Sequence, residues 1–262
     1  MDHRESVTIA KRALACLDLT SLNDDDTTGA IDALCDRALA PAPGVAVRPA
    51  AVCVYPRFVA QCAARVQGSG VRVAAVANFP TGDGSVDVVL DEAEASLRHG
   101  ANEIDVVIPF RAYLAGTHDN GVVRAVSELC HERGALLKVI LETGALGDSE
   151  LIKDAALDAV AAGADFLKTS TGKLEPGATP EAVRAMLEVI VESRAAGGRS
   201  VGLKVSGGVR TVADAAVYFA LADEHLGEAV PANFRIGASG LLNDIALVLT
   251  GASNGDADRS GY

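Results

Sequence analysis

The sequence predicts an α/β fold, a single-domain (β/α)8 barrel. Three observations carry this expectation. Short β-branched runs alternate with segments of helical period along the chain. The runs are apolar nearly throughout, as parallel strands covered on both faces require. Eight such units fit in about 250 residues, the size of a closed barrel.

In chain order, the first strand is expected at LACLDL (14–19), followed by a helix near 27–40 that stops at the proline-rich loop PAPGVAVRP. AVCVY (51–55) and VRVAAVA (71–77) supply the second and third strands, with a helix near 85–99 after them. EIDVVI (103–108) is the fourth, then a helix near 118–133. LLKVIL (136–141) is the fifth, then a helix near 149–162. ADFLK (164–168) precedes the clearest helix, TPEAVRAMLEVIVESRAAGG. There Thr179 suits the N-cap and Pro180 the first turn, Val183, Met186, Leu187, Ile190 and Val191 recur at helical spacing, and Gly197 follows the end. VGLKV (201–205), a helix near 212–225 and FRIG (234–237) complete the series. No GxGxxG follows the first strand, which argues against an open dinucleotide-binding sheet. The barrel domain is expected over 1–250, with GASNGDADRSGY (251–262) as a flexible tail.

Composition narrows the function. The chain of 262 residues is 49% hydrophobic, enough for a large core, and carries a formal charge of −12. That field opposes nonspecific binding to nucleic acid or an anionic membrane. No run reaches the roughly 18 apolar residues of a membrane span, and the start lacks a long apolar leader, so a cytoplasmic protein is expected. Five scattered cysteines without CxxC read as reduced thiols, and five histidines without HxH or HExxH give a metal site no support.

Chemistry in such a barrel sits at the C-terminal strand ends. The polar residues there are Asp18 and Thr20, Cys53, Asn78, Asp105, Glu142 and Thr143, Lys168, Lys204 and Ser239. Lys168 and Lys204 end neighbouring strands, so their ammonium groups face one cavity. Burial and like charge both disfavour protonation, and one amine should therefore have a lowered pKa. An ordinary lysine, with pKa ~10.4, is neutral in roughly one molecule in a few thousand at pH 7. A depressed one is a usable nucleophile for Schiff-base chemistry. Asp105, set among Ile104, Val106 and Val107, suits both a partner for Lys204 and a proton relay.

Three small-residue turns lie on adjacent loops: TSTGK after Lys168, with Thr171, Gly172 and Lys173; SGG after Lys204, with Gly207 and Gly208; and GASG (237–240), with Gly237 and Ser239. Glycines let backbone N–H groups approach an anion, and the hydroxyls of Ser170, Thr171, Ser206 and Ser239 are further donors. Loops after strands seven and eight are the usual phosphate position in this fold.

The stretches LDLTSLNDDDT, VCVYPRF, VANFPTG, EIDVVIP, LKVILETG, AGADFLKTSTGK, GLKVSGGVRT and RIGASGLL occur in order over nearly the whole chain. Together they resemble deoxyribose-phosphate aldolase, the class I aldolase of deoxynucleoside salvage. The resemblance implies reversible cleavage of deoxyribose 5-phosphate to glyceraldehyde 3-phosphate and acetaldehyde, without metal or organic cofactor. It implies Lys168 as the Schiff-base lysine, Lys204 as the lysine that lowers its pKa and Asp105 as the acid of the relay. It further implies that Cys53 lies in reach of aldehyde products and that Tyr262 assists proton exchange from the tail. The family is often dimeric, so a homodimer is the expected assembly, although no patch in the sequence marks it. Two positions depart from the family. Val205 stands where Pro or Ala is common, and Gly240 replaces a serine of the last phosphate turn. A phosphosugar isomerase or cyclase, or a non-enzymatic sugar-phosphate binder, would use the same turns without needing two facing lysines.

Overall fold

The structure is a computed structural model and describes residues 1–251. Its eight strands form one closed parallel barrel in sequence order, β1 pairing with both β2 and β8. The chain opens with α1 (His3–Ala15), β1 (Leu17–Thr20), α2 (Thr28–Leu39) and β2 (Ala51–Val54). A 3-10 turn (Pro56–Phe58) leads into α3 (Val59–Val66), β3 (Arg72–Ala77), α4 (Val86–Arg98) and β4 (Glu103–Val107). Next come α5 (Phe110–Leu114), α6 (Gly121–Glu132), β5 (Leu136–Ile140), α7 (Thr143–Leu146) and α8 (Ser149–Ala161). The chain continues through β6 (Phe166–Lys168), α9 (Pro180–Ala195), β7 (Gly202–Ser206), α10 (Val212–Leu226), β8 (Phe234–Ala238) and α11 (Leu241–Thr250). The single-domain barrel expected from the alternation is the observed fold.

Most boundaries shift by up to three residues, and at the first strand the shift changes the kind of element. Leu14 and Ala15 belong to α1 rather than to the first strand. A capping box between Asp2 and Glu5 starts this helix, and Ala10, Ala13 and Leu14 bury one face at helical spacing. Arg12 then fastens α1 to α10 through a two-pronged pair with Asp223, at 2.9 and 2.6 Å, while lying 4.4 Å over the Phe219 ring. Helix α11 was likewise not foreseen. Gly251, in the left-handed conformation, closes it. The rest of the expected tail, with Tyr262, lies outside the described residues.

The main apolar core lies between strands and helices, where Leu203 and Val205 of β7 pack. Val205 is thus in the helix-facing layer and does not line the cavity described below. Inside the barrel, a small apolar cluster of Leu22, Ala51, Cys53, Ala74 and Val76 occupies one side. Strand alternation puts charged side chains on the other.

Candidate active site

Seven ionisable side chains fill the barrel interior: Lys138, Lys168, Lys204 and Arg235 against Asp18, Glu103 and Asp105, all buried. Parallel register brings them together, since Asp105 is level with Lys138, Lys168 with Lys204, and Lys204 with Arg235. Asp105 is the hub. Its Oδ1 accepts from Lys138 Nζ at 2.6 Å, and its Oδ2 accepts from both Lys168 Nζ at 2.8 Å and Lys204 Nζ at 2.7 Å. Lys204 donates as well to Asp18 Oδ2 at 2.6 Å, and Lys138 lies 2.6 Å from Glu103 Oε2. Arg235 closes the network, donating to Asp18 Oδ1 at 2.7 Å and to Glu103 Oε1 at 2.9 Å. Gly237 makes room for it. A Cβ there would stand 2.9 Å from Lys204 Cε and 3.1 Å from Ser206 Cβ.

The electrostatic consequences are unequal. Burial opposes the ionisation of Asp105, yet Lys138, Lys168 and Lys204 together hold its carboxyl well below the usual carboxylate range. Burial also opposes the charge on Lys204, but Asp105 and Asp18 outweigh it and raise that amine; Asp105 and Glu103 do the same for Lys138. Lys168 has one carboxylate in contact. Burial, reinforced by the repulsion of Lys204, brings it below the ordinary lysine value despite Asp105. Burial is the larger cause here, where sequence reasoning rested chiefly on the facing charge.

A cavity of about 370 Å³ opens at the C-terminal ends of the strands, and Lys168 lines it. Around its wall stand Thr20, the 171–173 turn, Gly207 and Gly208, and the stretch from Gly237 to Gly240. The structure thus gathers Lys168, Thr20, Thr171, Gly172, Lys173, Gly207, Gly208, Gly237 and Ser239 at one mouth. Asp105, Lys204 and Asp18 lie beneath it, in the charged network. Cys53 is fully buried in the inner apolar cluster, with Sγ 3.9 Å from Asp105 Oδ2, and burial pushes its thiol up. It is not part of the cavity lining.

Two of the expected hydroxyl donors are committed elsewhere. Thr171 Oγ1 donates to Glu142, and Ser206 Oγ donates to the Ser170 carbonyl. Buried Ser170 Oγ has no partner among the described residues. At the rim, the loop after β6 crosses the loop after β7 where Gly177 meets Gly207. A Cβ on Gly177 would come within 2.6 Å of Gly207, and one on Gly207 within 2.8 Å of Gly177. Ala178 N–H secures the crossing on the carbonyls of Ser206 and Gly207, at 3.2 and 3.1 Å.

Residues 12–246 match the family model described as DeoC/LacD family aldolase. The chain belongs to this family. Solved structures place this DeoC/LacD aldolase among close folds. A Toxoplasma gondii ME49 protein assigned as a deoxyribose-phosphate aldolase is similar at a TM-score of 0.82 and 26% identity, over 97% of this chain and 98% of that one. Another, from Coccidioides immitis, is similar at 0.74 and 29%, over 93% and 97%. The tetrameric deoxyribose phosphate aldolase of Aeropyrum pernix reaches 0.73 at 24%, over 96% and 100%, and speaks for the fold alone. No described helix is long and apolar enough to cross a membrane.

Sequence reasoning did not single out Lys138, Glu103 and Arg235. Lys138 and Arg235 carried the signal that marked Asp105, a charge at an inward position between apolar neighbours in LLKVIL and FRIG, whereas Glu103 follows the polar Asn102 and carried only half of it. Arg210, which also lines the cavity, was missed because its loop offered no pattern beyond the preceding glycines.

Proposed function

We propose that the chain is a Schiff-base aldolase that reversibly cleaves 2-deoxy-D-ribose 5-phosphate to D-glyceraldehyde 3-phosphate and acetaldehyde. The observation that carries this reading is the position of Lys168. Of the three interior lysines it is the one lining the cavity, and its amine is lowered while those of Lys138 and Lys204 are raised. A nucleophilic amine must lose its proton and be reachable, and of the three lysines Lys168 is the one that lines the cavity and gives up its proton most readily.

In the direction of synthesis, the neutral Lys168 amine adds to the carbonyl carbon of acetaldehyde. The resulting carbinolamine takes up a proton and loses water to leave an iminium. Loss of a methyl proton from the iminium gives an enamine, and the enamine carbon bonds to the aldehyde carbon of the phosphorylated triose as the iminium re-forms and the triose oxygen takes up a proton to become a hydroxyl. Water then releases the product and frees the amine. Asp105 carries no proton at neutral pH, so it serves first as the acceptor, with Lys204 on the same oxygen to return one. The phosphate is assigned to the rim of Gly207, Gly208 and Ser239, with the cations Lys173 and Arg210 nearby. Helix α11 begins at this rim, and no side chain caps its first turn, which leaves backbone donors for an anion.

The test is covalent. Incubation with acetaldehyde and borohydride, followed by peptide mapping, is expected to place a two-carbon adduct on Lys168. Lys168→Ala is expected to abolish both adduct and cleavage. An adduct of equal yield in Lys168→Ala would sink the assignment, and an isomerase or a passive binder would give no adduct in either protein.

A further inference from the structure

We propose that Glu142 is a positioning residue that holds the 171–173 turn in its substrate-binding shape. Glu142 follows β5 at the cavity end of the barrel and is fully buried. Its backbone is left-handed, with φ 57° and ψ 55°, a region that non-glycine residues occupy at a cost. It stands at the N-cap of α7, yet its side chain makes no capping bond to that four-residue helix. The carboxylate reaches instead to the loop after β6. Thr171 gives it a backbone N–H, 3.3 Å from each oxygen, and a hydroxyl.

Burying a carboxylate is costly unless something compensates it. Burial does raise the Glu142 carboxyl, and the Thr171 donors and the charge of Lys168 act against that rise. The hydroxyl of Thr171, donating to Glu142, accepts in turn from Lys173 N–H at 3.0 Å. One buried group thereby sets the path of three successive residues, all of which line the cavity. Gly172 bends at their centre with φ 81°. Lys173 at their end carries a cation to the mouth. The strained backbone, the hidden charge and the unused cap are accounted for together if the role of Glu142 lies in that turn.

The identity of the substrate rests on the aldolase reading above, and the experiment separates the two. KM and kcat for deoxyribose 5-phosphate, together with borohydride trapping of acetaldehyde at Lys168, are measured in wild type, Glu142→Gln and Glu142→Leu. Glu142→Leu is expected to raise KM about tenfold or more, while trapping stays within about twofold, because the turn and not the amine is disturbed. Glu142→Gln keeps an oxygen acceptor at the same reach and is expected to stay within about threefold of wild-type KM. An unchanged KM in Glu142→Leu overturns the proposal, as does trapping in that variant that falls as far as KM rises, or a KM in Glu142→Gln that rises as far as in Glu142→Leu. Should Glu142→Leu not fold, Thr171→Val takes its place by removing the hydroxyl end of the same contact. A rise in KM there supports the role, and an unchanged KM overturns it. A wild-type chain that neither traps acetaldehyde nor cleaves the sugar phosphate overturns the aldolase reading itself.

Discussion

Lys168 and Lys204 are the same residue type on adjacent strands, level in register, and they share one oxygen of Asp105. Their difference comes from the second carboxylate, Asp18, which touches Lys204 alone of the two. Lys168 must lose its proton to react, so trapping rises as pH climbs through its pKa, which lies below the ordinary lysine value. Lys204→Leu removes a repelling cation and leaves the shared Asp105 oxygen to Lys168. The Lys168 pKa then rises, and the acidic limb of the trapping profile is expected to move to higher pH, with slower trapping at pH 7. A limb that stays in place would show that Lys204 does not tune its neighbour. Asp105 was legible in the sequence because an acid inside EIDVVI has few structural reasons to be there. Lys138 in LLKVIL was as odd, but the reason for it is Glu103 and Asp105 on the adjoining strand. Contacts made by barrel register leave no mark on a local pattern.

The elements read best where periodicity and boundary signals coincided. Helix α9 begins at Pro180 with Thr179 accepting from Ala182 N–H, as its sequence announces. Helix α1 was obscured because Leu14, Ala15 and Cys16 join LDL into one apolar run, although the helical period of Ala10, Ala13 and Leu14 was available. Helix α11 is hidden because the small-residue turn GASG runs straight into it without a side-chain N-cap. Its start at Gly240 has an ordinary φ of −89° and no side-chain cap, and a Cβ there would meet nothing within 4 Å. Gly240→Ser is accordingly expected to fit without strain and to offer a hydroxyl at the rim. We expect it to lower KM for the phosphorylated substrate by the equivalent of about 0.5–1.5 kcal/mol, with little effect on unphosphorylated deoxyribose. Steady-state kinetics on the two sugars checks this, and an equal change on both would remove the rim from the phosphate site.

Inside the barrel, four buried cations meet three buried carboxylates in direct contact, and a fourth buried carboxylate, Glu142, lies beyond them on Thr171. With every contacting group ionised, that network holds one more positive than negative charge, and among its three lysines Lys168 is the one whose amine is lowered. The depressed amine is in this sense a property of the assembly. Removing a cation far from the cavity should make the Lys168 charge welcome. Lys138→Met is expected to move the acidic limb of trapping to higher pH, although Lys138 does not line the cavity. It should also lower stability by about 1.5–3 kcal/mol, from the hydrogen bond to charged Asp105 that it removes. A pH series of borohydride trapping and a thermal melt test the two halves, and a melt that shifts without the limb would confine Lys138 to stability.

Where Gly177 crosses Gly207, two successive strand-helix units occupy a single thickness of backbone, leaving no space for a side chain on either. That crossing governs recombination between relatives. A chimera whose junction falls between positions 177 and 207 takes the two sides of the crossing from different parents, and any residue larger than glycine on one side collides with the other. Junctions placed before β6 or after the 207–208 turn carry both loops as one cassette, and those are the chimeras that inherit an intact mouth.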